Sequence, residues 1–235
     1  MRVGLFLTCV NDLAYPDTGR AVVDILRRLG QLVDFPTAQT CCGQMHANSG
    51  YRRQALPLAR GLARAFAGYE AVVAPSGSCV AMVREWYPQL LPDDPAVAEL
   101  AHRTYELSEF VVDVLGVTDL GARFPHRVTY HPTCHGLRGL GLGDKPLRLL
   151  AEVADIDLVP LPAAEQCCGF GGMFALGNAG VSSAMLADKC QAATGTGAAY
   201  LAAADNSCLA HIGGGLHRLR AEVRAIHYAE ILATR

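Results

Sequence analysis

The cysteines are the residues of this chain whose type and spacing point to chemistry. Nine are present, and eight of them form two copies of one pattern: a single cysteine, a Cys-Cys-Gly sequence and a later single cysteine. The surrounding sequences also repeat, since VVAPSGSC in the first half is answered by YLAAADNSC in the second. A repeat of this kind predicts two similar units about a pseudo-twofold axis. The repeated cysteines are Cys9, Cys41, Cys42 and Cys79, followed by Cys134, Cys167, Cys168 and Cys208.

Thiols that recur at the same spacing favour a metal centre over packing, because packing does not require one spacing twice. A disulfide between adjacent cysteines is disfavoured, since their Cα atoms lie only about 3.8 Å apart. Four thiolates suit either a [4Fe–4S] cluster or a zinc ion. The long gaps between the cysteines differ from the tight pairs of structural zinc sites. The pattern therefore favours up to two iron–sulfur clusters and leaves zinc open at one or both sites.

The composition excludes several classes of protein. The 235 residues are 51% hydrophobic and 18% charged, which is typical of a folded chain. The formal net charge of −2 offers no basic surface for a nucleic acid. We expect neither a secretion signal nor a membrane-spanning segment, because no apolar run is long enough and no cleavage site follows the first residues. A cytoplasmic location, where patterned thiols stay reduced, is the expectation.

Alternating strand and helix patterns predict the fold class and the domains. We expect an α/β protein of two pseudo-symmetric Rossmann-like units, each with three layers and a parallel sheet. The first unit is predicted to span residues 1–122 and the second residues 123–235, with helices near 96–115 in the connector. Asp17 or Thr18 is expected to cap the first long helix. The predicted strands are Val3–Leu7, Gln31–Phe35, Glu70–Ala74, Arg127–His131, Asp157–Leu161 and Ala198–Ala204.

These elements explain how distant cysteines meet. Ligands of open parallel sheets bind at the carboxyl ends of the strands, and the cysteines of each unit follow strands. The backbone must turn within each Cys-Cys-Gly sequence for neighbouring thiols to share a site, and Gly43 and Gly169 permit such a turn. We expect the helices that begin after these turns to direct N–H groups at an anionic cluster.

Other polar residues near the cysteines have several interpretations. His131, His135 and His211 are candidates for an extra ligand, a proton donor or a hydrogen-bond partner of sulfur. His46 is either a proton-handling group or a surface residue, and Cys190 is expected to pack within a helix. No catalytic residue is assigned, because neither a nucleophilic triad nor a complete nucleotide-binding loop is present.

Seven segments distributed from end to end resemble one known family. They are LFLTC, VDFPTAQTCCGQ, NSGY, PSGSC, TYELSEF, CCGFGG and HYAEIL. They are similar to the Cys-Cys-Gly (cysteine-rich) domain family of iron–sulfur oxidoreductases, to which the heterodisulfide reductases also contribute a member. Within it, the match is closest to the lactate-utilisation iron–sulfur proteins. The resemblance implies that all eight repeated cysteines bind iron–sulfur clusters.

The resemblance also implies a role, with two partner proteins, in the oxidation of L-lactate to pyruvate. The leading hypothesis is that this chain is the electron-transfer subunit. Whether this chain binds the small 2-hydroxy acid itself stays open. The chain departs from heterodisulfide reductase, because no C-x-x-C sequence surrounds Cys79 or Cys208. This departure argues against a five-cysteine cluster. A zinc-binding scaffold subunit and a thiol–disulfide reductase are the alternative functions.

Overall fold

Two parallel sheets of four strands organise the chain, and this computed structural model describes residues 1–235. The sheets have the orders β2-β1-β3-β4 and β6-β5-β7-β8, so the topology of the first is repeated in the second. In each sheet the chain reverses its direction of winding beside the first strand, which creates a crevice at the carboxyl ends. The strands are β1 (Arg2–Leu5), β2 (Leu32–Asp34), β3 (Ala71–Ala74), β4 (Thr104–Glu106), β5 (Arg127–His131), β6 (Asp157–Val159), β7 (Tyr200–Ala203) and β8 (Arg224–His227).

Thirteen α-helices and three π-helical turns connect and cover these strands. Two of the π-helical turns, Met82–Trp86 and His135–Gly139, follow closely on Cys79 and Cys134, and the third is Phe110–Val114. Such turns often occur at functional sites. The α-helices are α1 (Cys9–Ala14), α2 (Pro16–Arg28), α3 (Gln44–Asn48), α4 (Arg52–Ala65), α5 (Gly77–Ala81), α6 (Tyr87–Leu90), α7 (Pro95–His102), α8 (Leu107–Glu109), α9 (Lys145–Ala151), α10 (Met173–Gly177), α11 (Ala179–Gly195), α12 (Asn206–Arg218) and α13 (Tyr228–Ala233).

The local sequence explains the burial of strand β3 and helix α2. All four residues of β3, AVVA, are buried, as expected for a parallel strand covered on both faces. Helix α2 buries Val22, Ile25 and Leu26 on one face and exposes charged residues on the other. Pro16 occupies its first turn, where the missing N–H costs no hydrogen bond.

The two units share a hydrophobic core. Its 27 buried residues come from both halves and include Val22 and Phe110 from the first unit and Leu149 and Ile231 from the second. Each unit also has a core of its own, one of 18 buried residues and one of 11. Burial of apolar side chains from both units in one cluster fixes the units against each other.

The predicted fold class is confirmed, with two parallel α/β units, but each sheet has a fourth strand that the sequence did not indicate. Strand β4 interrupts the predicted helical connector with only three residues. Strand β8 has four residues, of which only His227 is buried, so neither strand shows an apolar run. The predicted strands Gln31–Phe35, Asp157–Leu161 and Ala198–Ala204 are shorter in the structure.

The predicted cap of α2 was wrong. The helix begins at Pro16, so Asp17 and Thr18 both lie inside its first turn. Thr18 is fully buried, and its hydroxyl instead accepts a hydrogen bond from Asn206 at 2.8 Å and donates one to Glu230 at 2.5 Å.

The division of the chain at residues 122 and 123 stays a prediction. Backbone bonds in this region join Ala122 and Phe124 to Ala154 of the second half, at 2.9 Å each. None of the helices has both the length and the apolar content that crossing a lipid bilayer requires.

Candidate functional site

The four cysteines of the first unit meet at the carboxyl end of its sheet. The Sγ atom of Cys9 lies 3.6 Å from that of Cys41, and the Sγ atom of Cys42 lies 3.5 Å from that of Cys79. Cys9 follows β1, Cys41 and Cys42 follow the loop after β2, and Cys79 lies in α5 after β3. The fold therefore gathers thiols from three segments that are far apart in sequence.

Glycine turns allow the adjacent cysteines of each pair to share this edge. Gly43 and Gly169 have φ angles of +80° and +88°, a left-handed backbone that glycine adopts without strain. The N–H groups of these glycines donate to the Sγ atoms of Cys41 and Cys167, at 3.4 Å in both units. A Cβ atom added at Gly169 would lie 2.7 Å from the carbonyl oxygen of Ser182, so only glycine fits there.

The backbone donors to sulfur agree with the expectation in the first unit only. There the donating amide belongs to Gly43, the N-cap residue of α3, whereas in the second unit Gly169 donates from a turn that is separate from the next helix. Helix α3 does begin directly after its turn, whereas α10 begins only at Met173, beyond a further loop that contains Gly171 and Gly172.

The second unit repeats the thiol arrangement and adds an imidazole. The Sγ atoms of Cys168 and Cys208 and a ring nitrogen of His131 all lie within 4.8 Å of one another, and all three residues are buried. The Sγ atom of Cys134 lies 3.7 Å from Nδ1 of His135. This second set therefore offers nitrogen as well as sulfur to a metal.

A single cavity of about 120 Å³ lies between the units and is lined by all eight repeated cysteines. The structure thus brings together every cysteine that the sequence singled out. His135 and the loop glycines Gly171 and Gly172 also line it. Two of the three glycines of the GFGG sequence therefore line the thiol cavity.

The sulfur contacts favour one ionised thiol in each unit. Contacts with the thiols of Cys42 and Cys9 lower the pKa of Cys41 to about 2, and the Gly43 amide adds to this effect. The contact with Cys41 raises the pKa of both Cys9 and Cys42 above the usual range. In the second unit, contacts with Cys134 and Cys168 lower the pKa of Cys167 to about 2. A metal ion that binds such a set displaces the remaining thiol protons.

A strained residue, which the sequence patterns did not indicate, precedes the first cysteine of each set. Thr8 and Thr133 have φ angles of +72° and +58°, which are unfavourable for a β-branched side chain. The Thr133 hydroxyl accepts a hydrogen bond from the N–H of Gly136 at 3.2 Å. The recurrence of this strain beside Cys9 and Cys134 links it to the site. The only sequence signal was the shared Thr-Cys pair.

The other residues weighed from the sequence lie in different surroundings. His131 is 1% exposed, and burial, with a smaller effect of Lys189, lowers its pKa to about 4. The Nε2 atom of His211 lies 3.4 Å from the Ser182 hydroxyl, and burial lowers the pKa of this histidine too. His46 is exposed on α3. Cys190 is buried in the core of the second unit, with Sγ 3.7 Å from the carbonyl oxygen of Ile212.

Fold and site together define a class: duplicated α/β proteins in which both copies carry thiols into one shared cavity. A sequence profile described as "Cysteine-rich domain" matches the chain twice, over residues 3–84 and 128–213. The chain belongs to this cysteine-rich domain family, as the resemblance of its motifs predicted.

Curated relatives match over the full length. "Lactate utilization protein A" of Oceanobacillus iheyensis is 48% identical over 238 residues, covering 100% of this chain and 97% of the relative. The protein of that name from Geobacillus kaustophilus is 48% identical over 239 residues, covering 100% of this chain and 100% of the relative. "Lactate utilization protein A 1" of Bacillus anthracis is 41% identical, covering 99% of this chain and 98% of the relative.

Solved structures show only remote likeness. A glutamate racemase of Francisella tularensis in complex with D-glutamate has a TM-score of 0.39 at 11% identity, covering 99% of this chain and 78% of the racemase. An aspartate racemase homologue of Pyrococcus horikoshii has a TM-score of 0.35 at 14% identity, covering 99% of this chain and 95% of the homologue.

Proposed function

We propose that this chain binds iron–sulfur clusters through its eight repeated cysteines and transfers electrons during the oxidation of L-lactate to pyruvate. The observation that carries the proposal is the single cavity lined by both thiol sets. The names of the full-length relatives support the connection with lactate. The proposed ligands are Cys9, Cys41, Cys42 and Cys79 in the first unit, and Cys134, Cys167, Cys168 and Cys208 in the second.

The donor set fits this cofactor. Each unit supplies four thiols, the number that a [4Fe–4S] cluster uses, and the contacts among them favour one ionised thiol in each unit. When bound, the cluster supplies reversible one-electron transfer.

The protein's own residues hold the thiols in place and surround them. The Gly43 amide donates to Cys41, and the buried Tyr87 hydroxyl donates to the carbonyl oxygen of Cys42 at 2.8 Å. Hydrogen bonds and burial of this kind tune the potential of a metal centre.

Oxidation of L-lactate removes two electrons and two protons, and these must pass to other groups. The chain has no complete nucleotide-binding loop. We therefore propose that the group that first accepts hydride or electrons from lactate belongs to a partner protein. We propose two such partners in a cytoplasmic complex, in which this chain accepts electrons and passes them on.

A zinc-binding scaffold is the second candidate function, and one observation favours it. Tetrahedral zinc with Zn–S bonds of about 2.3 Å places its sulfur ligands about 3.8 Å apart. The Sγ–Sγ distances of 3.6 and 3.5 Å in the first unit are close to that edge. A cluster has a larger radius, so it would require these side chains to move apart.

Anaerobic purification of the full chain, followed by determination of iron, sulfide and zinc, tests the proposal. We expect iron and acid-labile sulfide in equal amounts, with broad absorbance near 400 nm that bleaches on reduction. After addition of the partner proteins, lactate should bleach the same absorbance. Colourless protein with stoichiometric zinc would overturn the proposal in favour of the scaffold. Turnover that depends on a disulfide substrate would favour a thiol–disulfide reductase.

A further inference from the structure

His131 is a buried histidine without hydrogen-bond partners. It ends β5, its side chain is 1% exposed, and neither Nδ1 nor Nε2 has a partner. The backbone carbonyl of Ala164 faces the ring, but its geometry does not meet that of a hydrogen bond. A buried imidazole with both nitrogens unpaired loses the hydration of both without compensation. Such a group requires an explanation beyond packing.

The surroundings of His131 explain why a histidine is buried without hydrogen bonds. A ring nitrogen of His131 and the Sγ atoms of Cys168 and Cys208 all lie within 4.8 Å of one another. Imidazole nitrogen and thiolate sulfur are common joint ligands of zinc, and histidine also replaces cysteine on iron in some iron–sulfur proteins. The unpaired nitrogens therefore lie beside thiols with which they can share a metal.

The first unit shows that the fold does not require a histidine at this position. His131 lies three residues before Cys134, and the residue three before Cys9 is Phe6. Phe6 is buried and packs edge-on against Phe66, with ring centroids 5.7 Å apart. The fold therefore accepts an apolar ring at the position in the first unit that corresponds to His131. The imidazole at residue 131 carries a disadvantage in burial that Phe6 avoids.

We propose that His131 coordinates the metal centre of the second unit together with Cys168 and Cys208. This inference rests on the proposed function and refines it. A centre with four ligand positions that binds His131 leaves one of the four thiols of the second unit unbound, so the two centres differ chemically. The first centre has sulfur ligands only, whereas the second has nitrogen as well. Replacement of sulfur by histidine nitrogen raises the potential of iron–sulfur centres. The second centre is therefore the stronger electron acceptor of the two.

Pulsed electron paramagnetic resonance of the reduced, iron-loaded full chain tests this assignment. We expect nitrogen hyperfine coupling that changes when histidine is labelled with ¹⁵N. The His131→Phe variant, which copies the first unit, should lose the coupling. The matched control His211→Phe should keep it, since Nε2 of His211 lies beside the Ser182 hydroxyl, and it is His131, not His211, that groups with the Sγ atoms of Cys168 and Cys208. Iron-loaded wild-type protein without histidine nitrogen coupling would overturn the assignment even if His131→Phe folds poorly.

A second measurement separates failure of this inference from failure of the proposed function. Should the purified chain contain no iron, the cluster hypothesis fails, and Co²⁺ then probes His131 directly. In a Cys9→Ser, Cys42→Ser background, which impairs the first thiol set, X-ray absorption at the cobalt edge should show a nitrogen ligand in addition to sulfur. The further change His131→Phe should remove that nitrogen. Identical cobalt spectra with and without His131 would contradict the assignment.

Discussion

Ser76 and Asp205 occupy equivalent positions in the two units, and the Ser76 hydroxyl donates to the Asp205 carboxylate at 3.2 Å. Each lies three residues before the last cysteine of its set and caps the helix that carries it. The same carboxylate oxygen accepts the N–H of Ser78 at 3.0 Å, and the other accepts the N–H of Ser207 at 3.1 Å. One side chain thus joins the helices that carry Cys79 and Cys208.

Asp205→Ala removes these bonds and leaves buried donors unpaired in both units. We expect the free energy of unfolding to fall by about 2–4 kcal/mol, as for the loss of a helix cap together with buried hydrogen bonds. Urea denaturation of the metal-free protein measures the change. Asp34→Ala is a suitable control, because Asp34 pairs with Arg2 at the surface and its loss should cost at most about 1 kcal/mol. Equal effects of the two substitutions would contradict the role given to Asp205.

Single cysteine substitutions distinguish the proposed ligands from the remaining thiol. Cys42→Ser should reduce bound iron to about half by emptying the first unit, because serine is a poor substitute for a soft thiolate. Cys168→Ser should do the same for the second unit. Cys190→Ser should retain the full iron content, since Cys190 lies in the core near Ile212 and does not line the cavity. Iron loss in Cys190→Ser equal to that in Cys42→Ser would refute the ligand assignment.

Glu106 should make stability depend on pH. Burial raises its pKa from 4.5 to about 7, although Ser108 and Tyr228 donate hydrogen bonds to it. The folded protein therefore binds this proton more tightly than the unfolded chain does. The resulting stabilisation is complete below pH 4.5 and is lost as the pH rises to about 7, with a total of about 3 kcal/mol.

Urea denaturation at pH 4.5 and at pH 8 isolates this effect. Between the two values, the wild type should lose about 3 kcal/mol more than Glu106→Gln, whose amide does not ionise. Glu99→Gln serves as the comparison, because it makes the same change from carboxylate to amide at the surface, where Glu99 pairs with Arg103. The same pH dependence in wild type and Glu106→Gln would show that Glu106 does not titrate in this range.

Three glycines with positive φ separate backbone strain from steric overlap. Gly197→Ala adds only strain, about 1–2 kcal/mol, because nothing lies within 4 Å of the new Cβ. In Gly43→Ala the new Cβ lies 3.3–3.5 Å from its nearest neighbours. In Gly169→Ala it lies only 2.7 Å from a backbone oxygen, so the two atoms overlap. Thermal unfolding should therefore rank the losses as Gly169, then Gly43, then Gly197. Gly169→Ala should also reduce metal binding in the second unit alone; equal retention of metal in all three variants would contradict a role for the turn.

The thiol set was predictable because spacing alone defines it. Two copies of one pattern, each following strands of a parallel sheet, require the cysteines to meet at the carboxyl ends. The glycine turns were also predictable, since adjacent side chains such as Cys41 and Cys42 cannot otherwise share a site. The positive φ angles of Gly43 and Gly169 agree with that reasoning.

The remaining features depend on contacts between the units, which no local pattern reports. Strands β4 and β8 are too short to show a period of two. The meeting of both thiol sets in one cavity follows from how the shared core orients the sheets. The same applies to His131, whose position beside Cys168 and Cys208 arises only when three separate strand ends come together.

The shared core also constrains how such a protein evolves. A duplicated half that retained its own closed interior would remain free to separate, to recombine with other domains or to be lost. Here Val22 and Ile231 are buried in the same cluster, so a half on its own would expose an apolar face. Inheritance of the two halves is thereby coupled, while single positions such as Phe6 and His131 still differ between them.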